Sequence, residues 1–223
     1  MSGQLALVEV TRDYQWLGRM DYGEALEMQM ELAKKRRGGE IGDTVLMLEH
    51  NPVYTIGRRP DQSSLGTAEN LPHPVFEISR GGQATYHGPG QLVVYLILNL
   101  SDYGQDLHAY LRALEEGAIQ FCRAMGLPAR RREGLTGAWI EGRKLASIGV
   151  GVKRWISIHG IALNVCGDLD AFKVITPCGI QDVQMTALDR ELAIRITVER
   201  AAKSFEPHLE RALAKLARLR LRP

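Results

Sequence analysis

Apolar residues recur along this chain in two rhythms, alternating in short runs and spaced by three or four in longer ones, and these rhythms place most of its elements. Alternation over residues 4–10 and 75–79 predicts half-buried strands, and the unbroken apolar run 92–98 predicts a strand covered on both faces. Residues 44–49 and 53–57 give two more short strands. Residues 138–140, 144–152 and 155–165 read as a meander whose first turn is Glu141-Gly142-Arg143. Helical spacing marks three stretches. Asp21 with Glu24 looks like a capping box opening a helix with Tyr22, Leu26, Met30 and Ala33 on one face, stopped by Gly38-Gly39. Leu107, Leu111, Leu114, Ala118, Cys122 and Met125 form the stripe of a helix over 106–125. From Thr197 onward, Val198, Ala201, Phe205, Leu209 and Leu213 line a last helix, which Pro207 is expected to kink or restart. The elements lack regular βαβ alternation, so the pattern predicts an α+β fold, a single domain over residues 1–223.

One interruption is dense in special residues. Between the runs 75–79 and 92–98 lie Arg80-Gly81-Gly82-Gln83-Ala84-Thr85-Tyr86-His87-Gly88-Pro89-Gly90-Gln91, read as a glycine-rich hairpin after a polar loop over 58–74. Glycine lets a main chain approach a ligand closely and supplies positive φ, so this segment is a candidate binding loop. An ordinary Gly/Pro turn has the same composition. Glycine makes up 23 of 223 residues, about a tenth against a usual share of roughly 7%, and the excess clusters in such motifs rather than in a linker.

Charge and composition narrow the function classes. A net charge of +2 is too small to indicate a nucleic-acid partner. Basic clusters at Lys34-Lys35-Arg36-Arg37, at Arg130-Arg131-Arg132, and at Lys215, Arg218, Arg220 and Arg222 read either as solvated helix caps or as docking points for acidic protein domains. No apolar run nears the roughly 20 residues of a membrane span, and the N-terminus lacks the pattern of a signal peptide, so a soluble, cytoplasmic protein without membrane contact is expected. Gly149-Val150-Gly151 lacks the third glycine of a dinucleotide loop, and residues 137–143 imitate a phosphate loop with Arg143 in place of its lysine, so no nucleotide site is expected.

The three cysteines never form a C-x-x-C pair, and the six histidines show no ligand spacing with Cys or a carboxylate, so neither disulfide nor metal is predicted. Cys122 falls on a helix stripe and Cys166 at a strand end. Cys178 differs, because Pro177 and Gly179 bracket it in a short irregular segment that can present a side chain. A cysteine nucleophile acts as thiolate and needs a cation or base beside it. Lys144, 34 residues upstream in a glycine-flanked strand (178 − 144 = 34), is the candidate. By spacing alone Lys144 reads more readily as a solvated lysine at a hairpin end. His87 and His159 are candidate auxiliary groups, or structural histidines bonded to carbonyls.

The segment 80–91, together with Gly142-Arg143-Lys144-Leu145-Ala146-Ser147-Ile148-Gly149, His159-Gly160-Ile161-Ala162-Leu163-Asn164-Val165, Thr176-Pro177-Cys178-Gly179-Ile180 and residues 44–55, closely resembles the octanoyltransferase family, also called lipoate-protein ligase B. Many members carry proline where Leu96 stands here. The resemblance implies the fold of biotin and lipoate protein ligases, a mixed β-sheet flanked by helices. It implies Cys178 and Lys144 as catalytic residues, with substrate against Arg80, Gly81, Gly82, Gln83, Ala84, Thr85, Tyr86 and His87, against Ser147, Ile148 and Gly149, and against Gly160, Ile161 and Ala162. The implied reaction carries an octanoyl group from acyl carrier protein, through a Cys178 thioester, to a lysine of the lipoyl domains of 2-oxoacid dehydrogenase complexes or of the glycine cleavage H protein, with no ATP, metal or other cofactor. Two rivals remain: an ATP-dependent lipoate or biotin ligase on the same fold, and a non-catalytic module that binds acylated carriers. Lys144 and Ser147 differ by an odd number, so a regular strand would send them to opposite faces; either contacts through the backbone or a bulge after Lys144 would reconcile this. Backbone N–H groups around Cys178 and Gly179, or those of the loop 80–87, are expected to hold the oxyanion.

Overall fold

A computed structural model describes residues 12–57, 63–65, 71–78 and 80–219. The strand expected over 4–10, residue 79, most of the loop 58–74, and Arg220 and Arg222 lie outside them. In chain order the elements are β1 (Arg12–Met20), α1 (Tyr22–Gly38), β2 (Asp43–His50), β3 (Val53–Gly57), β4 (Val75–Ile78), β5 (Thr85–His87), β6 (Gln91–Ile97), α2 (Leu107–Ala124), β7 (Arg130–Arg132), β8 (Leu135–Ile140), β9 (Arg143–Lys153), β10 (Ile156–Asn164), α3 (Leu188–Leu192) and α4 (Val198–Leu219).

The strands form a seven-stranded sheet in the order β1-β2-β6-β10-β9-β8-β7 and a three-stranded one in the order β4-β3-β5. Both are mixed. β1 runs parallel to β2 and β4 parallel to β3, whereas the other pairs are antiparallel. The continuous apolar run of β6 follows from cover on both faces of the large sheet. Val45, Met47, Val94 and Leu96 join the core beneath α2 and α4. Leu46, Leu48, Val93 and Tyr95 point the other way, where Ala25 of α1 packs on them. The two helices α2 and α4 meet closely at Gly117, where a Cβ would stand 3.2 Å from the Leu209 Cα. The fold is therefore the expected α+β arrangement of mixed sheets flanked by helices.

Several local expectations are corrected. The glycine-rich segment is no hairpin: β4 pairs with β3 in the small sheet and β6 lies in the large one, so residues 80–90 carry the chain between sheets, with β5 formed on the way. Helix α1 buries Tyr22, Ala25 and Gln29, while Met30, placed on the inner face by its spacing, is 53% exposed. Asp21 is the N-cap but makes no capping bond with its side chain; its carboxylate instead accepts from Asn51 Nδ2 at 2.6 Å. Helix α4 runs through Pro207 without restarting.

Candidate active site

Cys178 sits at the centre of a single 3-10 turn, Pro177–Gly179, in the left-handed region at φ 57° and ψ 17°. Non-glycine residues enter that region only when their surroundings hold them there. Here the Cys178 N–H donates to the Ala84 carbonyl (2.7 Å), Gly179 N–H to Thr176 (2.9 Å) and Ile180 N–H to Pro177 (3.1 Å), so the turn is tied internally and to the strand-linking loop. After the turn the chain doubles back beside β9. Lys144 N–H donates to the Gln184 carbonyl at 2.8 Å, and Thr186 N–H to the Lys144 carbonyl at 3.0 Å. The residues around Cys178 thus clamp the backbone of Lys144.

Lys144 is 1% exposed, and its Nζ donates to Cys178 Sγ at 3.2 Å. Among the described residues no carboxylate pairs with it. With no carboxylate beside it, this buried side chain takes its polar contact from the Cys178 sulfur. The ammonium also stands 5.3 Å from the Trp139 ring centre, within cation–π range. Its stem passes Gly137, where a Cβ would lie 3.1 Å from Lys144 Cε and 2.4 Å from the Ala146 oxygen; only glycine leaves the lysine its path.

The parity difficulty between Lys144 and Ser147 disappears at a bulge. Ala138 pairs with Ala146 while Trp139 pairs with Lys144, so Leu145 is the extra residue and both side chains reach one place. Ser147 Oγ lies 3.8 Å from Cys178 Sγ.

These groups border a cavity of about 530 Å³. Of the residues singled out from sequence, Arg80, Gly81, Gly82, Gln83, Thr85, His87, Lys144, Ser147, Ile148, Gly149, His159, Gly160, Ile161, Ala162 and Cys178 line it. Ala84 and Tyr86 do not. Ala84 anchors the cysteine turn, and Tyr86 packs among Tyr54, His73 and Phe172. The cavity also takes in Tyr22, Val93, Tyr95, Leu107, Leu111 and Leu135, which sequence reading did not assign. Apart from the tyrosines these are ordinary apolar positions, with no signal to mark them out.

Arg80 is half-buried and holds the loop from inside. Its guanidinium donates to the Thr55 carbonyl (3.1 Å), Thr55 Oγ1 (3.0 Å) and the Gln83 carbonyl (2.9 Å). Burial pushes its pKa down, which nearby Cys178, Tyr22 and Tyr95 partly oppose. Three histidines share this region. His50 Nδ1 donates to the Met20 carbonyl (3.1 Å), leaving Nε2 to accept from the Tyr95 hydroxyl (2.7 Å). His87 Nδ1 donates to Gln91 Oε1 at 2.7 Å. The His159 N–H donates to Gln29 Oε1 at 2.9 Å, and its ring Nε2 is buried with no partner among the described residues. Burial lowers the pKa to about 4 for His50 and His159 and to about 3 for His87, so all three rings are neutral at neutral pH. They can orient groups but carry no charge.

The other thiols contrast with Cys178. Cys122 is buried in the main core, where desolvation pushes it up to about 12, and Cys166 is also raised. Among the described residues no three His, Cys, Asp or Glu side chains gather as a metal site, and no helix is long and apolar enough to cross a membrane.

The family profile described as the lipoyl protein ligase A/B catalytic domain matches residues 21–210. A Geobacter sulfurreducens protein named octanoyltransferase is 50% identical over 185 residues, covering 83% of this chain and 77% of that one. One from Rubrobacter xylanophilus is 50% identical over 185 residues, covering 80% and 83%. Among solved structures, a bi-partite lipoate protein ligase from Thermoplasma acidophilum superposes with a TM-score of 0.68 at 16% identity, over 94% of this chain and 91% of that one. The Aquifex aeolicus biotin protein ligase gives 0.55 at 13% identity, over 92% and 70%. These two likenesses concern the fold alone.

Proposed function

Because the chain belongs to the lipoyl protein ligase A/B catalytic-domain family and, within it, to the octanoyltransferases, which makes it an acyltransferase, we propose that it moves an octanoyl group from acyl carrier protein to a lysine of a lipoyl domain by way of a Cys178 thioester. The observation that carries this reading is the 3.2 Å approach of Lys144 Nζ to Cys178 Sγ inside a cavity large enough for an acyl chain. A ligase that activates its acid with ATP has no need of a thiol there.

In the first half-reaction the Cys178 sulfur attacks the carbonyl of the carrier thioester. A C–S bond forms to Cys178, the C–S bond to the carrier breaks, and the departing sulfur takes a proton from Lys144. In the second, neutral Lys144 takes a proton from the incoming ε-amine as that nitrogen attacks the octanoyl-enzyme. The amide forms, the Cys178 thiolate leaves, and the starting ammonium and thiolate are restored. Thioester is exchanged for thioester and then for amide, so the sequence runs downhill without nucleotide, metal or other cofactor.

Each half-reaction passes through an oxyanion. The N–H groups of Cys178, Gly179 and Ile180 are all committed to carbonyls, so the donors expected from that turn are already used. Ser147 Oγ and Lys144 Nζ, both beside Sγ, are the side-chain donors in position. Lys144 changes protonation between steps, so of these two side chains the Ser147 hydroxyl is the constant donor. Six methylenes of an octanoyl chain contribute on the order of 5 kcal/mol when buried, and two more or fewer change this by about 1.6 kcal/mol. Burial alone therefore selects length weakly, and in this reading a closed end of the cavity supplies the remainder.

The acceptors in this reading are the lipoyl domains of 2-oxoacid dehydrogenase complexes and the glycine cleavage H protein, the reaction is the first step of endogenous protein lipoylation in the cytoplasm, and residues 1–223 act as one catalytic domain. Incubating the protein with octanoyl carrier protein and an unmodified lipoyl domain, without nucleotide, is expected to give octanoylated domain. Product that forms only from free octanoate and ATP would establish the ligase instead, and carrier binding without product would establish a non-catalytic module.

A further inference from the structure

A second cleft adjoins the active-site cavity. Leu26, Met30, Ala33, Val152, Ile156 and Ile158 give it an apolar lining between α1 and the free end of the β9–β10 hairpin, and Ile78 and His159 line both spaces. Its mouth is unusually apolar for a surface. Met30 is 53% exposed and Val152 37%, and Trp155, at 38%, stands at the adjacent hairpin turn.

Cations surround this apolar patch. Lys34 and Arg37, one turn apart on α1, line the cleft with Lys153, and Arg154 follows at the hairpin turn. None of the four makes an ion pair among the described residues. Their sequence neighbours are spent on the fold: Lys35 pairs with Glu31, and Arg36 with Asp43 and Asp102. Glu77 is the one carboxylate among the described lining residues. The run at 34–37 thus divides into a structural half and a half turned toward the cleft. The basic run at 130–132 does not compete for this role, since Arg131 is held by Glu115 and Glu116 and Arg132 lies over Trp139.

Position selects the occupant. Val152 lies five residues beyond Ser147 on β9, roughly 16 Å along the strand. A lysine on its four-carbon stem does not span that gap from a domain seated on the cleft. A thioester carried on a long, phosphate-bearing prosthetic arm does, and both the arm and an acidic domain surface complement the cations. We infer that this cleft is the docking surface for the acidic carrier that delivers the acyl thioester, with Met30, Val152 and Trp155 as its apolar contact and Lys34, Arg37 and Lys153 as its steering charges. The inference rests on the acyl-transfer reading and adds the place where the donor binds.

The test compares wild type with a combined Lys34→Glu, Arg37→Glu, Lys153→Glu variant, and separately with Met30→Asp. Two acyl donors are used, octanoyl carrier protein and the small thioester S-octanoyl-N-acetylcysteamine. At low salt the triple variant is expected to lose on the order of tenfold or more in kcat/KM with the carrier and to flatten its salt dependence, while the small thioester reacts unchanged. Met30→Asp is expected to lower carrier turnover at any salt. An undiminished carrier rate in both variants, or equal losses with both donors, overturns the surface. So does a loss confined to discharge of preformed octanoyl-enzyme by a lipoyl domain, which would assign the cleft to the acceptor. Direct binding of the carrier without its acyl group separates this inference from the reading beneath it. Absence of any adduct with intact, charge-dependent binding sinks the relay alone, and adduct formation with undiminished binding in the triple variant sinks the surface alone.

Discussion

The N–H of Cys178 donates to the carbonyl of Ala84 at 2.7 Å, so the nucleophile's own main chain is occupied in holding its turn. Within the proposed relay Ser147, beside Sγ, is then the side chain placed to donate steadily to the oxyanion. Ser147→Ala is expected to lower kcat by about 10²-fold with KM little changed, and Ser147→Thr to recover part of it. Octanal, which adds the Cys178 thiol as a hemithioacetal, should inhibit the alanine variant more weakly, whereas octanamide inhibits both alike. Equal octanal inhibition would assign Ser147 to packing.

Lys144 is held by shape as well as charge. With Gly137 beneath its Cε and Trp139 facing its Nζ, the longer, planar guanidinium of Lys144→Arg has no room, and this substitution should be as inactive as Lys144→Met. Gly137→Ala should slow single-turnover acylation at least about tenfold, because the added methyl meets both the lysine stem and the Ala146 oxygen. An active Lys144→Arg enzyme would show that the path beside Gly137 is not restrictive.

The neutral histidines make the fold sensitive to acid. His50, His87 and His159 hold folded pKa values near 4, 3 and 4, below the ordinary value of about 6.5, so in mild acid the unfolded chain binds more protons than the folded one. Their contribution is whole above about pH 6.5 and is lost as pH falls toward 3–4. The melting temperature should therefore drop between pH 6.5 and 4, and His50→Gln or His87→Gln should flatten that slope while lowering stability at pH 7. A slope identical to wild type in both variants would shift the cause to other groups.

Glu115, fully buried on α2, accepts from Gly137 N–H at 3.0 Å and pairs with Arg112 and Arg131 at 2.6 and 3.0 Å. Removing it leaves a buried N–H without an acceptor on the strand beside Lys144, while Arg112 and Arg131 remain open to solvent and Arg131 keeps Glu116. Glu115→Ala is expected to cost about 1–3 kcal/mol in denaturant unfolding, and Glu115→Gln less. For the same reason, reversing Arg131 should weaken the fold rather than report on docking.

Much of this was legible in the chain because it is local. The apolar run of β6, the helix stripe of α2 and the meander β8–β10 follow from periodicity, and the Pro-Cys-Gly turn and the strand carrying Lys144 follow from glycine and proline placement. The odd spacing of Lys144 and Ser147 already offered a bulge as one way to bring them together, and one is found at Leu145. What was hidden depends on partners distant in sequence. Nothing near residue 75 says that β4 will join β3 instead of β6, and nothing in α1 says that Gln29 will turn inward to bond His159 while Met30 faces out. Part of the cavity lining was hidden likewise: Tyr22 read as a helix residue until the fold set its ring in the cavity wall, 5.1 Å from that of His50.

The covalent relay is tested most directly by intact mass after mixing the protein with octanoyl carrier protein in the absence of any acceptor. A single octanoyl adduct is predicted on wild type, mapped to Cys178, cleaved by neutral hydroxylamine and missing from Cys178→Ala. Octanoylation of a lipoyl domain by Cys178→Ala at the wild-type rate, with no adduct trapped on either protein, would contradict it.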